Sequence, residues 1–249
     1  EKVRVHRDDP VFDGQFSNRC YQNAVRQAFY DFSQKAERNG RINPETDQPF
    51  TEQWSRIIMH LPYAYQAKRM FPDVFRHDRE HTPMWDDIVE AIGPMPAQPE
   101  SNTTEALEAW EKEKDAYRRL ISKTTQYAEF HAGRIEKGQR ASSLIGNQYT
   151  GSIFLALMST FESDLEDNSN LDNVLFGMCG YGSGAKAKVF EGKVSPRWRE
   201  VVASWHLFER LAGRMAIDHV TYENLHKGTQ DSSVIEPKGE FALVDIGEE

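Results

Sequence analysis

The chain has 249 residues, 39% of them hydrophobic and 28% charged, which is the balance of a folded globular protein rather than a disordered one. No apolar run reaches the roughly 18 to 20 residues needed to cross a bilayer, and the opening EKVRVHRDDP lacks the apolar core of a signal peptide, so we expect no membrane association. The formal net charge of −9, without a long basic run, argues against nucleic-acid binding.

The first predicted element is a long helix. Ser17 is a suitable N-cap, and apolar residues recur at helical spacing from Tyr21 to Phe32. Gly40 predicts the end of this helix, and a polar loop follows.

A short buried strand is predicted next. Residues 54–59 include three consecutive apolar side chains, and His60 follows directly. Pro62 suits the first turn of a helix that would run to about Phe75. A second short helix is predicted from Thr82.

The middle of the chain is polar. Residues 93–103 are a proline-rich connector, and residues 104–137 predict a solvated helical hairpin at the surface. We therefore interpret 93–139 as a polar helical insertion within a single region that spans 1–249.

Apolar segments return after Arg140. Residues 153–161 are apolar nearly all round, which predicts a helix buried on every side. An apolar strand follows at 174–180, then a GYGSG turn, and then a half-exposed strand in which Ala and Val alternate with Lys at 185–189.

Two helices are predicted within 197–227, and a last strand over 241–246. Helices and strands thus alternate along most of the chain. This order predicts the α/β class.

His60 is a candidate functional residue because of its position. Ligands of α/β sheets bind beyond the carboxyl ends of strands, where His60 is expected. A neutral imidazole there can donate an N–H to a carbonyl oxygen and polarise it. A purely structural histidine at a strand end is the alternative.

The segment after His60 carries a basic face. Tyr65, Lys68 and Arg69 have helical spacing that places them on one side. Two cations there could bind phosphate groups, or they could form an ordinary solvated patch.

Two glycine-containing turns carry further candidates. Asn147 could donate its amide to a developing oxyanion, although a turn that opens a helix uses the same residue types. Ser183 lies in the GYGSG turn, whose glycines permit close approach of a ligand to the main chain, although hairpin turns share this composition.

The cysteines and paired histidines predict no chemistry. Cys20 would be a packing residue in the first turn of a helix, and Cys179 an inert thiol in a strand. Two such cysteines make no disulfide framework and favour a cytoplasmic location. His77 and His81 have a zinc-compatible spacing but lack an evident third ligand, so we expect no metal.

In this order, the segments resemble the C-terminal half of 3-hydroxy-3-methylglutaryl-CoA synthases, which belong to the thiolase superfamily. His60-Leu61-Pro62-Tyr63 matches the family's His-x-Pro-Tyr/Phe, residues 146–150 match its Gly-Asn-x-Tyr-Thr, and residues 181–184 match its Tyr-Gly-Ser-Gly. Asp13-Gly14-x-x-Ser17 with Cys20-Tyr21, and the segment 210–223, extend the likeness over about 12–92 and 140–246.

The resemblance implies a thiolase-like αβαβα layered fold, of which this chain supplies the C-terminal half plus extra surface helices. It also implies a transferase, an acyltransferase of the mevalonate pathway in isoprenoid biosynthesis, that condenses acetyl-CoA with acetoacetyl-CoA. No cofactor is expected beyond these CoA thioester substrates.

The resemblance assigns catalytic roles to His60, Asn147 and Ser183. It implies substrate binding by five further residues: Tyr63, Lys68, Arg69, Tyr149 and Gly182. His60 would contact the acetoacetyl carbonyl, while Asn147 and Ser183 would hold the acyl groups. The sequence departs from the family at Tyr65, where a lysine is common.

The expected partner is an N-terminal half, covalent or separate, that carries the nucleophilic cysteine and the acid/base glutamate. The complete unit is expected to form a homo-oligomer, most simply a dimer. Two alternatives stay open: a polyketide β-branching synthase that acts on acetoacetate bound to a carrier protein, and a non-catalytic thiolase-fold scaffold subunit.

Overall fold

The computed structural model describes residues 13–42, 48–182, 184–236 and 238–239. One mixed sheet contains three strands: β1 (Trp54–Met59), β2 (Leu175–Gly182) and β3 (Lys186–Lys193). The helices are α1 (Gly14–Arg38), α2 (Gln66–Met70), α3 (Pro72–Arg79), α4 (Pro83–Ile92), α5 (Thr104–Ile121), α6 (Thr125–Arg134), α7 (Glu136–Ile145), α8 (Ser152–Glu166), α9 (Trp198–Val202), α10 (Leu207–Ala212) and α11 (His219–Lys227). The predicted α/β class is confirmed.

The sheet has the order β1-β2-β3, with β1 parallel to β2 and β2 antiparallel to β3. Met59 is in register with Cys179, which in turn pairs with Val189. The predicted strand at 54–59 and the half-exposed strand after the glycine-rich turn are both confirmed. Helices α1 and α8 both pack against the sheet.

A glycine allows the first two strands to pack closely at their start. The buried indole of Trp54 covers Gly177, where a Cβ atom would lie 2.2 Å from the ring. The indole Nε1–H donates to the Glu191 carboxylate on β3 at 2.6 Å. Trp54 therefore ties all three strands together, and a side chain at 177 would force them apart.

Helix α1 starts earlier than predicted. Its N-cap is Asp13, whose carboxylate accepts hydrogen bonds from the backbone N–H groups of Gln15 and Phe16, each at 3.0 Å. The predicted start at Ser17 is therefore wrong, because a carboxylate four residues upstream already satisfies the first free donors. Cys20 consequently lies beyond the first turn.

The helix predicted from Pro62 to Phe75 begins only at Gln66, so the predicted place of Pro62 in its first turn is wrong. It is also two helices, α2 and α3, that meet at Pro72. Proline lacks the N–H that would have bonded to the carbonyl of Lys68 four residues earlier. The hydroxyl of Tyr127 donates to that carbonyl instead, at 2.9 Å. Pro72 therefore explains the break, and Tyr127 of α6 supplies the hydrogen bond that the backbone cannot make.

The predicted hairpin at 104–137 is confirmed as helical, since it contains α5 and α6. It is not a wholly solvated element, however. Tyr117, Ile121, Tyr127 and Phe130 are buried and belong to the hydrophobic core. Only the outer face of the hairpin is polar and exposed.

Helix α8 differs most from its prediction. Phe154 is 67% exposed, and Ile153, Leu157 and Phe161 are only partly buried. Complete burial was expected from the apolar composition and is wrong for this face. Strand β2 and helix α9 cover the C-terminal end of this face, where Phe161 stacks on Phe176 with ring centroids 5.1 Å apart, so the exposed part is the start of α8 around Phe154.

The opposite face of α8 is polar and buried. Ser159 accepts a hydrogen bond from the backbone N–H of Ala141 at 3.1 Å and donates to the carbonyl of Lys137 at 2.6 Å. At Gly138 on α7, an added Cβ would lie 3.2 Å from Thr160 Oγ1, so the absence of a side chain lets the two helices cross closely.

The chain divides into two compact units, Glu1–Phe208 and Glu209–Glu249. In the second unit, Asp218 caps α11 by accepting the Thr221 N–H at 2.7 Å. Three helices, rather than the two predicted, lie within 197–227. The strand predicted at 241–246 lies outside the described residues, and no helix within them is long and apolar enough to span a membrane.

Candidate functional site

His60 lies at the carboxyl end of β1, as predicted. Its backbone N–H donates to the carbonyl of Cys179 on β2 at 2.9 Å, which continues the parallel ladder by one residue. Its own carbonyl accepts a hydrogen bond from the buried hydroxyl of Tyr21 on α1 at 2.8 Å. Both polar groups of the His60 backbone are therefore held in place, one by the sheet and one by a helix.

The imidazole is held by Ser152, the first residue of α8. Ser152 Oγ lies 2.8 Å from His60 Nδ1 and also accepts the backbone N–H of Leu61 at 3.0 Å. Ser152 is fully buried, and His60 is 7% exposed. The ring is consequently fixed by a hydroxyl that is itself fixed by the backbone of the next residue.

Aromatic rings enclose this histidine. The Tyr181 ring lies 5.9 Å from the imidazole and packs edge-on against Tyr21 at 4.8 Å, both measured between ring centroids. Burial lowers the pKa of His60, because a charged imidazolium loses its hydration there. Burial likewise raises the pKa of Tyr21 well above its ordinary value. The site therefore contains a neutral imidazole near pH 7.

The predicted residues Asn147 and Tyr149 lie in the exposed turn that leads into Ser152. Asn147 Oδ1 accepts the backbone N–H of Tyr149 at 2.7 Å, and Tyr149 has a φ of +47° and is 77% exposed. The asparagine side chain thus stabilises a strained turn. This geometry agrees with the helix-start interpretation and leaves the assignment of Asn147 as a catalytic residue a prediction.

Gly182 is the last residue of β2 and directly follows Tyr181, so it lies beside the aromatic wall of the site. Ser183, the third predicted catalytic residue, lies outside the described residues. The C-terminal end of β2 therefore lies beside His60.

The predicted cations Lys68 and Arg69 are exposed and line a cavity of about 810 Å³ between α1, α2 and α5, here called the basic cleft. Arg19, Arg119 and Lys123 add three further exposed cations to its wall. Asp115, the carboxylate in this lining, forms an ion pair with Arg118. An anionic ligand would find favourable electrostatics here despite the negative net charge of the chain.

Tyr65 lines this cleft, whereas Tyr63 is not in its lining and contacts the lining residue Arg69. The Arg69 guanidinium lies 5.7 Å from the centroid of the Tyr63 ring, within cation–π range. Tyr65 is exposed and contributes to the wall of the basic cleft, together with Lys68. Tyr65 therefore presents an uncharged ring to the cleft at the position where the family resemblance implies a lysine.

Sequence reasoning missed several contributors. Tyr21 appeared only in a helical pattern and in the Cys20-Tyr21 pair of the family resemblance, and Ser152 was not among the predicted site residues. Hydrogen bonds across 39 and 92 residues leave no local signal. The cations Arg19, Arg119 and Lys123 come from helices whose packing is not visible in spacing.

The remaining candidates carry little chemistry. Burial raises the pKa of the Cys179 thiol to about 12, in accord with the inert role predicted for it. His77 Nδ1 lies 3.3 Å from Glu80 Oε1 in a surface contact. Among the residues that the structure describes, no group of three His, Cys, Asp or Glu side chains is placed to hold a metal ion.

The fold and the site define a thiolase-like α/β protein. Residues 2–236 match the profile of the family described as "Hydroxymethylglutaryl-coenzyme A synthase C terminal". The chain belongs to this family.

Three relatives illustrate the match. The hydroxymethylglutaryl-CoA synthase of Haloferax volcanii is 26% identical over 98% of this chain and 54% of its own length. A solved structure of MvaS in complex with 3-hydroxy-3-methylglutaryl coenzyme A has a TM-score of 0.63 and 24% identity, covering 95% of this chain and 48% of that one. A curacin-pathway HMG synthase in complex with apo donor-ACP has a TM-score of 0.57 and 18% identity, covering 91% and 43%. The chain spans about half the length of the curated relatives it matches.

Proposed function

We propose that this chain is the C-terminal part of a hydroxymethylglutaryl-CoA synthase, an acyltransferase that condenses acetyl-CoA with acetoacetyl-CoA. The observation that carries the proposal is the buried, neutral His60 at the end of β1, in a chain that belongs to this family. A neutral imidazole keeps one N–H, which can donate a hydrogen bond to the acetoacetyl carbonyl and polarise it.

The proposed mechanism divides the chemistry between two parts of the enzyme. An N-terminal half would supply a cysteine that carries the acetyl group and a glutamate that removes a proton from the acetyl methyl group. The resulting carbanion equivalent would attack the C3 carbonyl of acetoacetyl-CoA, which His60 orients and polarises. Water would then release the product from the cysteine. Asn147 and Ser183 are proposed to hold the acyl groups.

The basic cleft supports a CoA substrate. Its exposed cations would bind the phosphate groups through charge-assisted hydrogen bonds, with Lys68 and Arg69 nearest to His60 in the chain. Tyr63 and Tyr149 would border the acyl and pantetheine path, and Gly182 would allow the ligand to approach the β2 backbone. Tyr65 then requires that Lys68 and Arg69 take over the role of the family's missing lysine.

The exposed apolar face of α8 supports the N-terminal half as a partner. We propose that this half covers the exposed ring of Phe154 and the partly buried side chain of Leu157 beside it, because an exposed apolar patch of this kind commonly marks an interaction site. The relatives are about twice as long as the aligned region, which supports a further segment of about the same size. The cytoplasmic location and the homo-oligomer of the complete unit stay predictions.

The decisive test uses the protein purified through an affinity tag on this chain from its own cells, together with everything bound to it. We expect this assembly to condense acetyl-CoA with acetoacetyl-CoA and a His60→Ala variant of it to lose that activity. Intact mass after incubation with acetyl-CoA should show one acetyl group on the N-terminal half. Unchanged activity in the variant would instead identify a scaffold role for this chain.

A second candidate function is a β-branching synthase of polyketide assembly. The observation that favours it is the likeness in fold to a curacin-pathway HMG synthase that was solved with a donor acyl carrier protein, together with the departure at Tyr65. Rates with acetoacetate attached to CoA and to a carrier protein separate the two. A clear preference for the carrier-bound substrate would replace the first proposal by the second.

A further inference from the structure

Ser152 stands between the backbone after His60 and the imidazole itself. Its hydroxyl oxygen accepts the N–H of Leu61 at 3.0 Å, and the same oxygen lies 2.8 Å from His60 Nδ1. The side chain is fully buried. A buried hydroxyl in this position has to satisfy both its hydrogen atom and its oxygen within the protein.

The two possible directions of the Ser152–His60 bond are not equivalent. If Nδ1–H donated to Ser152, the serine oxygen would accept twice, from His60 and from Leu61. No acceptor for the serine hydrogen would then remain among its contacts in the described residues. If the serine hydroxyl donates to Nδ1, every group is satisfied: the oxygen accepts once and the hydrogen is used.

We infer that Ser152 is a positioning residue that fixes His60 as the neutral tautomer with its proton on Nε2. The inference states which nitrogen of His60 carries the proton, and it rests on the proposed function for its catalytic meaning. Nδ1 is committed to Ser152, so Nε2–H is the group that can donate to a substrate oxygen. A shift of the proton to Nδ1 would leave Nε2 as an acceptor, which repels a carbonyl oxygen.

The surroundings of His60 strengthen this assignment. The Tyr21 hydroxyl and the sheet fix the backbone of His60, and the Ser152 hydroxyl is the polar contact that orients the ring itself. Ser152 also begins α8, and the position of that helix therefore determines the direction in which Nε2 points. Catalytic hydrogen bonds of this kind depend on such support from outside the reacting atoms.

The first experiment is ¹⁵N NMR of the full chain with labelled histidine, with the His60 resonances assigned by their loss in His60→Gln. We expect the wild-type spectrum at pH 7.5 to show a protonated Nε2 and an unprotonated Nδ1. Ser152→Ala should give a measurable population with the proton on Nδ1. A wild-type proton on Nδ1, or an unchanged tautomer in Ser152→Ala, would overturn the inference.

A matched control lies on the same helix. Ser159 is equally buried, accepts one backbone N–H and donates to one carbonyl, but its partners belong to α7. Ser159→Ala should leave the His60 tautomer unchanged. Ser152→Thr keeps the hydroxyl and should restore the wild-type pattern, which preserves the test if the alanine variant folds poorly.

Kinetics of the tagged assembly provide the catalytic readout. We expect Ser152→Ala to lower kcat by roughly 100-fold, the order of loss that follows misplacement of a catalytic group, with a much smaller change in KM for the acetoacetyl substrate. Ser152→Thr should recover most of kcat. If the assembly has no synthase activity at all, the proposed function fails while the NMR result on Ser152 still stands or falls by itself.

Discussion

The two faces of helix α8 reverse the usual distribution of side chains. Toward α7 and the strands it buries serine, threonine and aspartate, whereas Phe154 on the other side is exposed to solvent. Most groups of the polar face are paired: Ser152 with His60, Ser159 with α7, and Asp164 with two cations. The buried Ser163 hydroxyl has no hydrogen-bond partner within the described residues. On the apolar side, Phe161 stacks on Phe176 of β2, while Phe154 is 67% exposed in the part of the chain that the structure describes. The comparison teaches that α8 can bury polar groups because neighbouring elements supply their hydrogen-bond partners, whereas the apolar side chain at its start is left exposed.

The buried carboxylate of Asp164 provides the strongest test of the polar face. It accepts hydrogen bonds from Arg56 at 2.9 and 2.5 Å and from Lys137 at 2.5 Å. Burial alone would raise the pKa of Asp164, but these hydrogen bonds outweigh it and hold the pKa below its usual value. We expect Asp164→Asn to lower the free energy of unfolding by about 3–5 kcal/mol, measured by urea denaturation, because two cations lose their buried counter-charge.

Asp167 is the matched control, because it also bonds Lys137, at 2.7 Å, but is mostly exposed. Asp167→Asn should change stability by less than about 0.5 kcal/mol. Equal losses of unfolding free energy in Asp164→Asn and Asp167→Asn would contradict the expectation that the buried carboxylate stabilises the fold more than the exposed one.

Ser159 tests the same face with a neutral group. Ser159→Ala leaves the Lys137 carbonyl and the Ala141 N–H without their partner, so we expect a loss of about 1–3 kcal/mol in urea denaturation. The control is Ser143→Ala on α7, whose exposed hydroxyl donates to the Arg140 carbonyl at 2.7 Å. A cost at Ser143 as large as at Ser159 would contradict the comparison.

Phe154 tests the apolar face. Phe154→Ser should leave the stability of this chain within about 0.5 kcal/mol, because the ring is already exposed. Affinity for the N-terminal half should fall by about 2 kcal/mol, roughly 30-fold, as expected for a central aromatic contact, and titration calorimetry would measure it. Leu120→Ser on α5 removes another exposed apolar side chain, 42% exposed against 67% for Phe154, and should leave that affinity unchanged.

The pH dependence of stability gives the smallest effect. Burial lowers the pKa of both His60 and His131 in the folded chain, below the unfolded value of about 6.5. Between those values the unfolded chain binds more protons, so stability rises with pH and is lost on acidification from pH 7 through 6.5 toward the folded pKa. A lowering of one pKa unit corresponds to about 1.4 kcal/mol.

Urea midpoints at pH 7.5 and 5.5 would check this dependence. His60→Gln and His131→Gln should each be less sensitive to pH than the wild type. A urea midpoint that is higher at pH 5.5 than at pH 7.5 would mean that folding raises the pKa of these histidines, which contradicts the prediction.

Much of the fold follows from local sequence. The apolar run of β1, the Lys and Ala alternation of β3 and the proline-rich connector all appear in the structure where spacing predicts them. The predictions failed where two nearby residues compete for the same structural role or where the deciding contact is distant in sequence. Asp13 caps α1 four residues before Ser17, and Pro72 divides a helix whose apolar pattern continues through it.

The candidate site was predictable in part. His60 is recognisable from its place after a buried strand, and Lys68 and Arg69 from their helical spacing. Ser152 and Tyr21 are not, because each contacts His60 only after α8 and α1 have packed on the sheet. The exposure of Phe154 was equally invisible, since composition records what a helix needs to bury and not which polypeptide segment buries it.

The hydrogen bond that the Tyr127 hydroxyl donates to the Lys68 carbonyl limits which segments of this protein can be deleted. The α5–α6 hairpin looks like an optional insertion from its polar composition, and an engineer would choose it first for deletion. Its removal would leave a carbonyl at the α2–α3 break without a donor and would take away the α5 side of the basic cleft. It would also remove the buried hairpin side chains that belong to the hydrophobic core, so a minimal version of this chain should keep the hairpin.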